Sequence, residues 1–180
     1  GRSGREGRAV NAFLGGVTCQ GTLCRFDTAD ALCPRVYELC DSCGLAVPML
    51  RTLERAARAA GQDAIVCRDP LRPAEPQHLL LPSLGLAFLT TNEDRPYRGK
   101  PYRRIRIDAM AEEGLTRAQR AHLRFIRRVR RALEEEAVGA LARAKAGHDA
   151  LEALYHPCVD FTRVQAMWEA ETERLSGYMV

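Results

Sequence analysis

The stretch RVYELCDSCGLAVPMLRTLERAA, residues 35–57, decides the fold. Its first six residues, Arg35–Cys40, carry Val, Tyr and Leu in a short run and predict a strand. Its last part, from Met49 to Ala60, is rich in Leu, Ala, Arg and Glu, which are good helix formers, and Gly61 stands where a helix would end. Between them lies Asp41-Ser42-Cys43-Gly44-Leu45-Ala46-Val47-Pro48. A strand that turns directly into a helix exposes unpaired N–H groups at the helix start, which is where α/β folds hold phosphate.

The rest of the chain supports an α/β layer. Ala12–Val17 and Thr22–Phe26 are two short strand candidates around a turn near Gln20-Gly21. Ala64–Cys67 predicts a short buried strand, and Leu84–Thr90 (LGLAFLT) the strongest one. Pro70, Pro73 and Pro76 predict an irregular stretch between those two. Residues 91–102 predict a polar loop, and Arg104–Asp108 alternates with the period of a strand. Strand, helix and strand in succession imply a parallel sheet, with Arg35–Cys40, Ala64–Cys67 and Leu84–Thr90 side by side in direction.

The last third changes period. Thr116-Arg-Ala-Gln119 has the form of a capping box. Ile126, Val129, Leu133, Ala137, Ala140, Ala144, His148, Leu151 and Tyr155 then repeat at three and four for about eight turns. Pro157 closes that helix. Asp160 caps a second, with Phe161, Val164, Trp168 and Leu175 on one face. The expected organisation is a flexible linker or tail over 1–9, an α/β core over 10–114, and a C-terminal antiparallel helical hairpin over 115–180 that packs on the core.

Composition narrows the function class without choosing one. Of the 180 residues, 46% are hydrophobic and 28% charged, with a net charge of +4. That balance is ordinary for a globular domain and does not by itself point to nucleic acid. No run approaches the ~18 apolar residues of a membrane span, and no secretion signal follows the basic start. The chain begins with Gly1 rather than Met, as expected of a fragment or a processed product. Its cysteines number seven, an odd count that argues against a disulfide framework and for a reduced, cytoplasmic chain.

Against the phosphate-binding motif GxxxxGKS or GxxxxGKT, the turn at Asp41–Pro48 has the right context and the wrong residues. Asp41 stands for the first Gly, Ala46 for the second, Val47 for the Lys and Pro48 for the hydroxyl residue. The Lys would meet the transferred phosphate and the hydroxyl would hold magnesium. Arg51 and Arg55 lie further into the helix and should point away from the turn. A plain strand-to-helix turn remains an open reading of the same eight residues.

Three other groups of residues are candidates. His148 and Glu152 share a helical face with Asp149 beside them, a spacing that suits a metal ligand pair or a proton relay; a buried, hydrogen-bonded His148 is the simpler reading. His156 and Asp160 are the nearest further ligands. Cys40 and Cys43 form a CxxC at a helix start, where thiol pKa falls and where zinc or redox chemistry is an alternative to incidental buried thiols. The arginines at 124, 127, 128, 130 and 131 predict a solvated helix face balanced by Glu134, Glu135 and Glu136, and Arg103, Arg104 and Arg106 form a second cluster.

Four segments in order resemble an uncharacterised bacterial family of tandem P-loop ATPase-like proteins, through its C-terminal half. They are FLGGVTCQGTLCRFDTADALCPRVYELCD (13–41), GQDAIVCRDPLRPAEPQHLLLPSLGLAFLTTN (61–92), YRRIRIDAM (102–110) and AKAGHDALEALYHPCVDFTRV (144–164). The last includes His148, Asp149, Glu152 and Tyr155, similar to the family's helix signature. The resemblance implies a P-loop NTPase fold, possible binding of ATP and magnesium at residues 41–48, and a second ATPase-like half as partner, upstream in one polypeptide or in a second copy. The changed turn, and the lack of an Asp at the end of LGLAFLT, predict a non-hydrolysing, structural or regulatory domain. An ATPase with an atypical phosphate loop, and a thiol or zinc site at Cys40 and Cys43, are the alternatives.

Overall fold

A computed structural model describes residues 5–178. The chain divides into two compact units, residues 1–141 and 142–180.

The first unit is built on a six-stranded sheet. Its strands are β1 (Ala9–Ala12), β4 (Arg35–Cys40), β5 (Ala64–Asp69), β6 (Arg72–Leu81), β7 (Leu86–Thr91) and β8 (Arg103–Ile105), in the spatial order β1-β5-β6-β7-β4-β8. Five of the strands run the same way and β6 runs against them. The sheet is therefore mostly parallel, and β4, β5 and β7 share one direction as their sequence implied. A separate hairpin pairs β2 (Gly15–Thr18) with β3 (Gly21–Cys24). Helix α1 spans Phe26–Leu32, α2 Val47–Ala59, α3 Ile107–Glu112, and α4 begins at Arg117.

Side chains alternate between the two faces of the sheet, as the pleat requires. Val36, Cys67, Leu80, Ala87 and Leu89 face one core, which α1 closes with Ala29. Leu39, Val66, Leu79 and Leu81 face the other, which α2 closes with Ala46, Leu50 and Ala57. Leu39, Leu50, Leu79 and Leu89 are among the largest fully buried side chains.

Several expectations change. Residues 72–81 are not irregular: they form β6, with Pro73 and Pro76 inside it. The prolines survive because pairing with β7 covers only His78–Leu81, leaving one edge of residues 72–77 free of ladder donors. Bulges around Arg68 take up the register shift against β5. Residues 1–4 of the expected tail lie outside the described residues; in the rest of it the Gly7 N–H donates to Arg58 O at 2.9 Å, and Ala9 opens β1, a parallel edge strand. The sequence after β8 is helical, as α3, where a longer strand was expected. Phe26, the expected end of a strand, instead opens α1, which runs Phe26–Leu32.

Helix α4 runs Arg117–Tyr155, and its capping box forms as the sequence predicts. The Thr116 N–H donates to Gln119 Oε1 at 2.8 Å, and the Gln119 N–H donates back to Thr116 Oγ1 at 3.3 Å. In the second unit a single 3-10 turn holding Pro157 follows α4, and α5 spans Phe161–Ser176. Asp160 caps α5 by accepting the Arg163 N–H at 3.1 Å. Val164, Trp168 and Leu175 are exposed. Among the described residues no helix is long and apolar enough to cross a membrane.

Candidate functional site

The turn between β4 and α2 lies at the carboxyl end of an interior parallel strand, where α/β sheets bind ligands. Its geometry is set by one side chain. Asp41 Oδ1 accepts the N–H groups of Cys43 and Leu45, each at 3.0 Å, and Oδ2 accepts that of Ala46 at 2.7 Å. Only 7% of Asp41 is exposed. A carboxylate thus sits among the backbone donors that a phosphate would use, and the positive end of α2 stabilises it.

The residues after Asp41 follow from that arrangement. Gly44 has φ 77°, in the left-handed region, which lets the chain fold its N–H groups around the carboxylate. A Cβ there would stand 3.0 Å from Arg72 Nη2. Val47 and Pro48 begin α2, and Pro48 has no N–H to offer. No ammonium or hydroxyl stands where the motif needs one. Arg51 turns away, donating to Ala74 O at 3.2 Å.

The outside of the turn is also held. Asp108, at the start of α3, accepts the Ser42 hydroxyl at 2.6 Å and the Ser42 N–H at 2.9 Å. Arg130 Nη1 donates to Ser42 O at 2.7 Å. Arg127 pairs with Glu112 at 2.8 Å and Asp108 at 3.5 Å. The arginine face of α4, expected to be solvated and balanced by its own glutamates, instead pins the turn through Arg127 and Arg130. Arg130 still pairs with Glu134 at 3.5 Å, while Arg130 and Arg131 both hold Asp94.

Beside the turn is a cavity of about 460 Å³, within the range of about 300–1,000 Å³ common for ligand pockets. Asp41, Ser42, Cys43, Gly44, Ala46 and Val47 form one wall. The ends of β5, β6 and β7 and the first half of α4 form the others. Sequence reasoning identified the first wall. Arg95, Gln77 and Asn92 were missed, since they are isolated polar residues in a loop and in a strand expected to be irregular.

His78 was also missed, for the same reason. It is fully buried under β3 and α1, with the Phe26 ring 5.7 Å away and edge-on. Its Nδ1 accepts the Thr90 N–H at 3.0 Å, so Nε2 carries the proton and donates to Cys24 Sγ at 3.8 Å. Burial pushes His78 down to about 3, helped by Arg95 and opposed by Asp69. Burial likewise pushes the Cys24 thiol up to about 11, with Arg95 lowering it slightly. A base whose lone pair is used and a thiol that resists ionisation do not make a nucleophilic pair.

The remaining candidates are the group around His148 and the cysteines. His148, Asp149 and Glu152 lie in the second unit, with one ligand atom from each within 4.8 Å of the others. His148 is 67% exposed rather than buried, because α4 presents this face to solvent. Lys145 Nζ already holds Asp149, at 2.8 Å to both oxygens. Tyr155 and His156 are exposed, and the His156 ring packs on Phe161 at 4.4 Å. All seven cysteines are free. Among the described residues, neither Cys40 nor Cys43 belongs to a group of three metal-ligating side chains. Compared with family models, curated proteins and solved structures, the chain matches none.

Proposed function

We propose that this chain is a P-loop NTPase-like domain that does not hydrolyse ATP and serves a structural or regulatory role beside a second, active ATPase-like half. The observation that carries the reading is Asp41. Its carboxylate accepts the N–H groups of Cys43, Leu45 and Ala46, the donors a phosphate loop would offer. A triphosphate entering the turn would have to displace a charge that is already paired, and would meet its repulsion at close range. Magnesium triphosphate does not fit the residues present, since Val47 supplies no ammonium and Pro48 no hydroxyl.

The partner is a second ATPase-like half, upstream in the same polypeptide or in another copy. In this reading α4 and α5 form a hairpin whose apolar side chains are completed by that half, and the exposure of Val164, Trp168 and Leu175 supports it. Seven free cysteines support a reducing compartment, the cytoplasm.

The test is steady-state phosphate release by the purified chain with magnesium and ATP. The expected result is no release above background. The double variant Val47→Lys, Pro48→Ser should gain nucleotide affinity even if catalysis stays absent. Turnover by the unmodified chain at about 1 s⁻¹ or faster, the lower end of ordinary enzyme rates, refutes the proposal.

A further inference from the structure

The cavity beside the turn has walls of opposite character. Leu71, Pro76, Leu123, Ile126 and Val47 supply an apolar lining. The carboxylates that line it are all engaged: Asp41 by backbone N–H groups, Asp69 by Arg72 at 3.1 Å, and Glu134 by Arg130 at 3.5 Å. Arg72, Arg127 and Arg130 are likewise paired. Arg95 differs. It lines the cavity and is half-buried, yet only its backbone is used, its N–H and C=O both bonding to Asn92. Among the described residues its guanidinium makes no hydrogen bond or ion pair, and the side-chain amide of Gln77 makes none either.

We infer that this cavity binds a small monocarboxylic acid with an apolar body, its carboxylate held by Arg95 and its body against Leu71, Leu123 and Ile126. One free guanidinium matches one negative charge, and its planar fork fits a carboxylate with two parallel hydrogen bonds. A phosphate's two charges would face that single free cation and three wall carboxylates. The apolar lining then rewards a ligand with a hydrophobic body over a bare anion. This goes beyond the non-hydrolysing role proposed above and does not depend on a partner half.

The test is calorimetric titration of the full chain with acetate, phenylacetate and phenylacetamide. Phenylacetate should bind at least tenfold more tightly than acetate, which lacks the body, and than phenylacetamide, which lacks the charge. Arg95→Gln should weaken phenylacetate at least tenfold, and Arg95→Lys should retain part of the affinity. Should Arg95→Gln fail to fold, Ile126→Trp, at a half-exposed helix position, narrows the cavity and should weaken phenylacetate more than acetate. Equal binding of acid and amide, full affinity in Arg95→Gln, or no binding of phenylacetate overturns the assignment. If phenylacetate fails to bind and the chain releases no phosphate from magnesium ATP, this assignment falls alone; if the chain turns over magnesium ATP while phenylacetate binds as described, the non-hydrolysing reading falls alone.

Discussion

Asp41 holds a negative charge that is almost fully buried, and three backbone donors make that tolerable. Removing the carboxylate leaves those donors without a partner in a turn that Asp108 and Arg130 fix from outside. Asp41→Ala should therefore cost about 2–4 kcal/mol, the scale of a lost charge-assisted network with unpaired buried groups. Urea unfolding measures it, and a cost below about 0.5 kcal/mol contradicts the role assigned to the side chain. His78 carries a second residue-scale expectation. The unfolded chain protonates this imidazole near 6.5, the folded chain only near 3. Between those values the unfolded state holds more protons, so stability falls as the pH falls, by up to about 1.4 kcal/mol per unit. Above 6.5 the contribution is intact. His78→Gln should flatten that part of the stability curve, and an unchanged slope would show that His78 is not its source.

At the scale of elements, α4 holds the turn through two arginines. Arg130 reaches Ser42 O at 2.7 Å, and Arg127 ties Asp108 and Glu112 to the same place. Arg130→Gln should speed hydrogen exchange of the amides at 43–46 by about tenfold, the equivalent of 1.4 kcal/mol of local opening. Unchanged exchange would place the restraint elsewhere. Much of this architecture was legible in the sequence. The strand Arg35–Cys40, the helix that follows it and the capping box at Thr116 come from local propensity and pattern, and each forms where the residues put it. What was not legible depends on distant pairing. Pro73 and Pro76 forbid a ladder on both edges, but β6 needs only one edge over those residues. The arginines of α4 resemble a solvated face until Ser42, Asp94 and Asp108 are brought to them from other elements. Arg95 carries no local signal, because its lack of a partner is a property of the folded chain alone.

At the scale of the molecule, the second unit leaves apolar side chains uncovered, with Trp168 at 61% and Leu154 at 76% exposure. The partner half proposed above would cover side chains of this kind. If the second half is another copy of this chain, sedimentation should show concentration-dependent association, and Trp168→Gln should weaken it at least tenfold. A monomer at every concentration rules out the second copy and leaves an upstream half of the same polypeptide as the partner. The central claim is that the chain's own carboxylate takes the place of phosphate at the start of α2. Calorimetric titration of pyrophosphate into the wild-type chain and into Asp41→Gly tests it most directly. The account predicts no measurable binding to the wild type and a gain of binding in the variant, whose turn then has free N–H groups and a second Gly beside Gly44. Micromolar binding of pyrophosphate by the wild type, unchanged or weakened in Asp41→Gly, would contradict it.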